Sequence, residues 1–141
     1  MSADNPRGGL ATTLEVEALA DQLGAAADVL HKRLMKDLKA HKGEFSAADQ
    51  AIFRALNDDE QLLRQQANQL YAEAAALVVP ALGVPQQHLM ALTAIATEQI
   101  RKIGKIGDAI GTVAGLLMLV GSVVSGNGAG VLAALESIKQ K

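Results

Sequence analysis

The 141-residue chain has no cysteine and no tryptophan, and its aromatic residues are only Phe45, Phe53 and Tyr71. The lack of cysteine excludes disulfides and thiolate chemistry and leaves the redox compartment open. The shortage of aromatic residues argues against a β-sandwich or barrel, which draws on aromatic and β-branched side chains. It also removes the stacking platforms that single-stranded nucleic acids need. A net charge of −2 means there is no global basic field, so nucleic acid is not expected as a partner. The polar segment Met1 to Gly9 lacks the apolar stretch of a secretory signal peptide. Synthesis in the cytoplasm is therefore expected, with membrane association or export by a signal-less route as further expectations.

Half of the residues are apolar, and alanine and leucine supply most of them, which favours helix over strand. The expected fold is all-α: an elongated antiparallel helical hairpin, a third long helix with a Gly-rich apolar C-terminal half, and a short terminal helix. A flexible N-terminus over 1–11 precedes a single helical domain over 12–141. Thr12 or Thr13 can cap a first helix over 12–42. Its stripe Val16, Leu19, Leu23, Ala26, Leu30, Leu34 and Leu38 advances in steps of three and four. Gly43 is placed to stop it, and His41 and Lys42 suit its negative end.

Ser46 and Asp49 have the spacing of a capping box, and they open a second helix over 46–79 that Pro80 ends. Ile52, Phe53, Leu56, Leu63, Ala67, Leu70, Ala74 and Leu77 form its stripe. Asn57-Asp58-Asp59-Glu60 interrupts that stripe, and one continuous or kinked helix is expected through it. The short link Gly43 to Phe45 forces the two helices to fold back on each other. Charge supports this pairing: residues 31–42 carry five Lys/Arg against one acid, and residues 43–79 carry two against six. In the simplest register Lys32 and Arg33 lie near Asp58, Asp59 and Glu60, and Arg64 lies near Asp21 and Asp28.

A third helix is expected over 85–125, with a candidate break at 104–108, and a short one over 129–140 that Asn127 can cap. Leu89, Leu92, Ile95, Ala96, Ile100 and Ile103 give the third stripe, and Arg101, Lys102 and Lys105 a basic collar. Beyond the collar, Ala109 to Leu135 is 27 residues without a charge. Its first part, 106–124, is apolar on every side through Ile106, Ile110, Val113, Leu116, Leu117, Met118, Leu119, Val120, Val123 and Val124. Such a helix belongs in a protein core or in a membrane. Nine Ile, Val and Leu residues give roughly −4 kcal/mol of insertion tendency, which is marginal. Gly104, Gly107, Gly111 and Gly115, extended by Ser122, would form a small-residue ridge for close helix packing in an oligomer.

No phosphate loop, nucleophile elbow or metal-ligand spacing occurs, and His31, His41 and His88 stand far apart. No catalytic residue, metal or cofactor is expected. The plan of a long helical hairpin with a Gly-rich apolar stretch resembles α-helical pore-forming toxins in outline. That resemblance is one of composition, in a much shorter chain, and it implies no residue roles. The expected function is that of a non-enzymatic helical protein, self-associating through its Gly-rich segment and membrane-active or membrane-associated. The alternative is a soluble, self-assembling structural or adaptor bundle whose apolar segment is core or a partner-binding surface. Expected partners are a second copy of the chain, with membrane lipid or a protein partner besides.

Overall fold

A computed structural model describes residues 8–41, 44–79 and 81–139. Among the described residues five α-helices follow in order: α1 (Thr13–His41), α2 (Ala47–Ala72), α3 (Gln86–Lys102), α4 (Ile110–Val124) and α5 (Gly128–Lys139). A 3-10 turn, Ile106–Ala109, leads into α4. No strand occurs among the described residues, so the chain is all-α.

The first two helices begin where short polar side chains replace missing backbone partners. The Thr12 hydroxyl accepts from the Glu15 amide at 3.2 Å, and the Glu15 carboxylate accepts from the Ala11 and Thr12 amides in return. The Ser46 hydroxyl accepts from the Asp49 amide at 3.1 Å. Lys42, Gly43 and Pro80, expected to end the first two helices, lie outside the described residues.

α1 and α2 form the antiparallel hairpin. The α1 stripe is buried from Val16 to Leu34, while Leu38 is partly exposed at its end. α2 runs unbroken through Asn57 to Glu60. It stops at Ala72 rather than at 79, although Ala72 to Ala76 has good helix propensity. Glu73 leaves the helical region at φ −119° and ψ 21°. The following turns carry Ala74, Leu77 and Val79 into the core, so packing overrides propensity here.

α3 covers the flank of α1, α4 covers that of α2, and α5 packs on α4 and α3. The helix expected over 85–125 with a candidate break at 104–108 is divided there: α3 ends at Lys102 and α4 begins at Ile110. Arg33 accounts for the stop: its guanidinium donates to the Ile100 and Arg101 carbonyls at 3.1 and 3.0 Å, satisfying acceptors that an ending helix leaves free. Ile103 then turns extended.

The stretch expected to be flexible, 1–11, is packed from Gly8 onward. Leu10 is fully buried at a positive φ of 63°. Its amide donates to Gln86 Oε1 at 2.8 Å, and its carbonyl accepts from the Val79 amide at 2.7 Å. Gly9 donates to the Val84 carbonyl. This strap joins the start of α1 to the α2–α3 connection. Leu10→Ala should therefore cost about 2–4 kcal/mol in urea unfolding. A change within about 0.5 kcal/mol, as expected of a surface residue, would show the strap to be ornamental.

Candidate interaction surface

α4 is the least polar helix, and it has a buried side and an outward one. Thr112, Val113, Gly115, Leu116, Leu119, Val120, Ser122 and Val123 are buried. Ile110, Ala114 and Met118 are exposed, with Leu117, Gly121 and Val124 half-buried between them. Ile110 and Met118 each keep 42% of their surface open to solvent. The outward stripe holds no charged residue, so nothing but shape and hydrophobicity is offered there. Alongside, an apolar groove of about 510 Å³ follows α3 past Ala94, Ile95 and Ile103. Gln99 in that groove reaches α4 through Thr112, at 3.4 Å.

α4 turns into α5 through a glycine-ended stop. Gly126 takes φ 72°, its amide donates to the Val123 carbonyl, and the Asn127 amide donates to the Ser122 carbonyl at 2.8 Å. Asn127 then caps α5, its side-chain oxygen accepting from the Gly130 amide at 2.9 Å. Two glycines set how closely the antiparallel pair can approach. A methyl on Gly115 would lie 3.0 Å from Ile138 Cγ1, and one on Gly130 would lie 2.5 Å from Ser122 Oγ. Gly115 and Ser122 are thus engaged by a helix of the same chain.

Of the other ridge positions, Gly111 shares α4 with them and Gly104 and Gly107 do not. Gly104 lies exposed in the link after α3, with open space around its Cα. Gly107 sits in the 3-10 turn, where an added methyl would reach Ile52 at 3.4 Å. Gly111 is half-buried in α4. The break at Ile103 separates Gly104 from the rest of the row. The 106–124 segment divides likewise: Ile106 is half-buried, and its remaining residues partition between core and outward stripe. Ile106–Val124 is long and apolar enough to cross a membrane by length and composition, with 44% of its most apolar window buried in the bundle. Arg101, Lys102 and Lys105 are exposed at the base of α4. Lys139 ends the antiparallel α5 at that same base.

Charge concentrates instead on the α1–α2 hairpin. Glu60 is 5% exposed, and both its oxygens are occupied: Oε1 lies 3.1 Å from His31 Nδ1, and Oε2 accepts from Arg64 Nε at 2.9 Å. Arg64 also donates to Asp28 at 2.8 Å. These hydrogen bonds to Glu60 and Asp28 raise the guanidinium pKa above its ordinary value. Burial, then neighbouring Asp58, pushes the Asp59 carboxyl up. The expected Arg64–Asp28 proximity is therefore present, but His31 takes the place assigned to Lys32 and Arg33. Arg33 faces α3 instead.

Among the described residues, no cluster of three His, Cys, Asp or Glu could hold a metal ion. No protein family matches the chain, and no curated protein or solved structure shows significant similarity to it.

Two predictions test this geometry. Gly115→Ala should destabilise the fold, because the inner atoms of buried Ile138 have no room to give. Gly121→Ala has nothing within 4 Å of the new methyl and should stabilise by about 0.5–1 kcal/mol. Thermal melts of the pair read the difference, and equal shifts would contradict the close α4–α5 contact. Tyr71, which donates to Asp21, has its pKa pushed up to about 12, by that hydrogen bond first, then by burial and the charges of Asp21 and Glu17. The folded value lies above the unfolded one near 10, so folding favours the protonated phenol. That contribution is complete below pH 10 and vanishes as pH rises through about 12. Asp21→Asn should return the phenolate absorbance midpoint towards 10; an unchanged midpoint would place Tyr71 away from Asp21.

Proposed function

We propose that this is a non-enzymatic helical protein that engages a lipid bilayer, and further copies of itself, through the outward face of α4. The observation carrying this reading is the solvent-facing stripe of Ile110, Ala114 and Met118, with half-buried Leu117 beside it, which has no charge along its length. Exposed apolar surface of that continuity marks an interaction site more often than a solvated wall. The exposed cations Lys102 and Lys105 at its base, with Arg101 paired to Glu98 beside them, suit anionic headgroups.

Magnitudes favour a peripheral mode. Withdrawing α4 to insert it would uncover α2, whose Leu56, Leu63 and Leu70 are fully buried. Exposing two of them costs about 3–6 kcal/mol, which offsets the roughly 4 kcal/mol available from insertion. An intact bundle lying with α4 against the interface pays no such cost. Self-association belongs to the same face, because Gly115 and Ser122 already pack against α5.

Liposome flotation tests the reading with wild-type protein and Met118→Glu, a substitution at an exposed position that leaves the core intact. Wild type should float with vesicles containing anionic lipid, and Met118→Glu should remain at the bottom. Wild-type protein left unbound at every lipid composition would end the membrane reading. The soluble, self-assembling bundle would then stand if light scattering of that fraction gives an oligomer mass that Met118→Glu reduces to a monomer.

A further inference from the structure

The end of the bundle remote from the strap carries a second feature, independent of the α4 stripe. There the last turn of α1, the first turns of α2 and the 104–108 link enclose a cleft of about 670 Å³. That volume lies within the range of small-molecule sites, about 300–1,000 Å³. Its apolar wall is built from Phe45, Phe53 and Ile106, all half-buried. Both phenylalanines of the chain are therefore here, their ring centres 5.7 Å apart, and His41 stacks on Phe45 at 4.6 Å.

The rim of this cleft is acidic. Asp37 comes from α1, Asp49 from α2 and Asp108 from the 3-10 turn, against Lys105 and the imidazole of His41 among the described lining residues. Neither the three aspartates nor Lys105 makes an ion pair among the described residues. Asp49 also serves the positive end of α2, and Asp37 and Asp108 line the cleft from α1 and from the 3-10 turn. The carbonyl end of α1 adds partial negative charge on the same side. His41 turns its Nδ1 proton onto the Asp37 carbonyl at 2.8 Å, so that nitrogen is not free to act as a metal ligand.

We propose that this cleft binds a small organic cation: an ammonium or guanidinium group carried on a hydrocarbon or aromatic frame. The frame would rest against Phe45, Phe53 and Ile106, and the charge would sit between Asp37 and Asp108. A bare divalent ion is a poorer match, because the carboxylates are too dispersed to form a ligand cluster. An anion would meet the acidic rim.

The test is a two-dimensional amide NMR titration of the full chain with phenethylammonium. Phenylacetate and phenethyl alcohol serve as probes of matched size and different charge. The cation should give saturable shifts centred on Phe45, Phe53, Gly104 and Gly107, with affinity about tenfold above that of the alcohol. Asp108→Asn, at an exposed position, should remove most of that preference without changing the melting temperature, and Phe53→Ala should weaken cation and alcohol together. Equal affinity for the three probes, shifts scattered over the surface, or no saturation would each overturn the assignment.

Discussion

The bundle is organised around a segment that has no charge to offer water. From Ala109 to Leu135 every side chain is neutral, and helices made of such residues must be covered. The chain provides that cover first from within, by folding α5 back on α4, and then from α2 and α3. Closeness is what makes the inner contact worthwhile. A glycine inside a helix costs about 1 kcal/mol relative to alanine, and Gly115 and Gly130 recover that cost by letting Ile138 and Ser122 approach to distances a methyl would forbid. One pair of helices cannot be shielded on all sides by three others, and the outward stripe of α4 is what remains.

The charged residues follow the same division. Because α4 and α5 contribute almost none, the ionic register of the molecule is written on α1 and α2, where Glu60 is nearly buried yet charge-paired with Arg64 and in hydrogen-bond contact with His31. A buried carboxylate without partners would cost several kcal/mol, so this cluster specifies which helices face each other more than it adds stability. Asn57 to Glu60 therefore does not break α2. Glu60 points inward and is satisfied there, and the exposed or half-buried acids beside it remain near water.

The parts legible in the sequence were those governed by local rules. Helical stripes in α1, α2 and α3 follow from apolar spacing, and Thr12, Ser46 and Asn127 announced their caps through hydroxyl or amide side chains at helix starts. What escaped depends on residues distant in the chain. A break at 104–108 was legible, but the partner that caps α3 there, Arg33 from 67 positions away, leaves no local trace. Leu10 fixes residues 8–11 through Val79 and Gln86, whereas composition alone suggests a loose polar tail. The row Gly104 to Gly115 has helical spacing, but that spacing carries meaning only if the helix is continuous, and the Arg33 cap breaks it. The acidic cleft joins residues from three separated segments, none of which forms a motif by itself.

Length constrains how the proposed membrane contact can be made. α4 has 15 residues and α5 has 12, or roughly 22 and 18 Å at 1.5 Å per residue. Neither reaches across a hydrocarbon core of about 30 Å, so the two cannot cross as a hairpin. Only the 19 residues of Ile106–Val124 together approach that distance, and straightening them means recruiting the 3-10 turn, whose Gly107 packs beside Ile52 of α2. A full crossing would thus detach α4 from α5, from α2 and from the turn at once. A surface-lying arrangement asks for none of this, because the stripe it uses already faces outward. The cations at Arg101, Lys102, Lys105 and Lys139 cluster at the base of the α4–α5 pair, whereas its turn, Ser125 to Gly130, is neutral. On an anionic surface Lys102, Lys105 and Lys139 would attract that base while Asp108 opposes them and Arg101 is already paired with Glu98, so the apolar stripe rather than charge sets the contact.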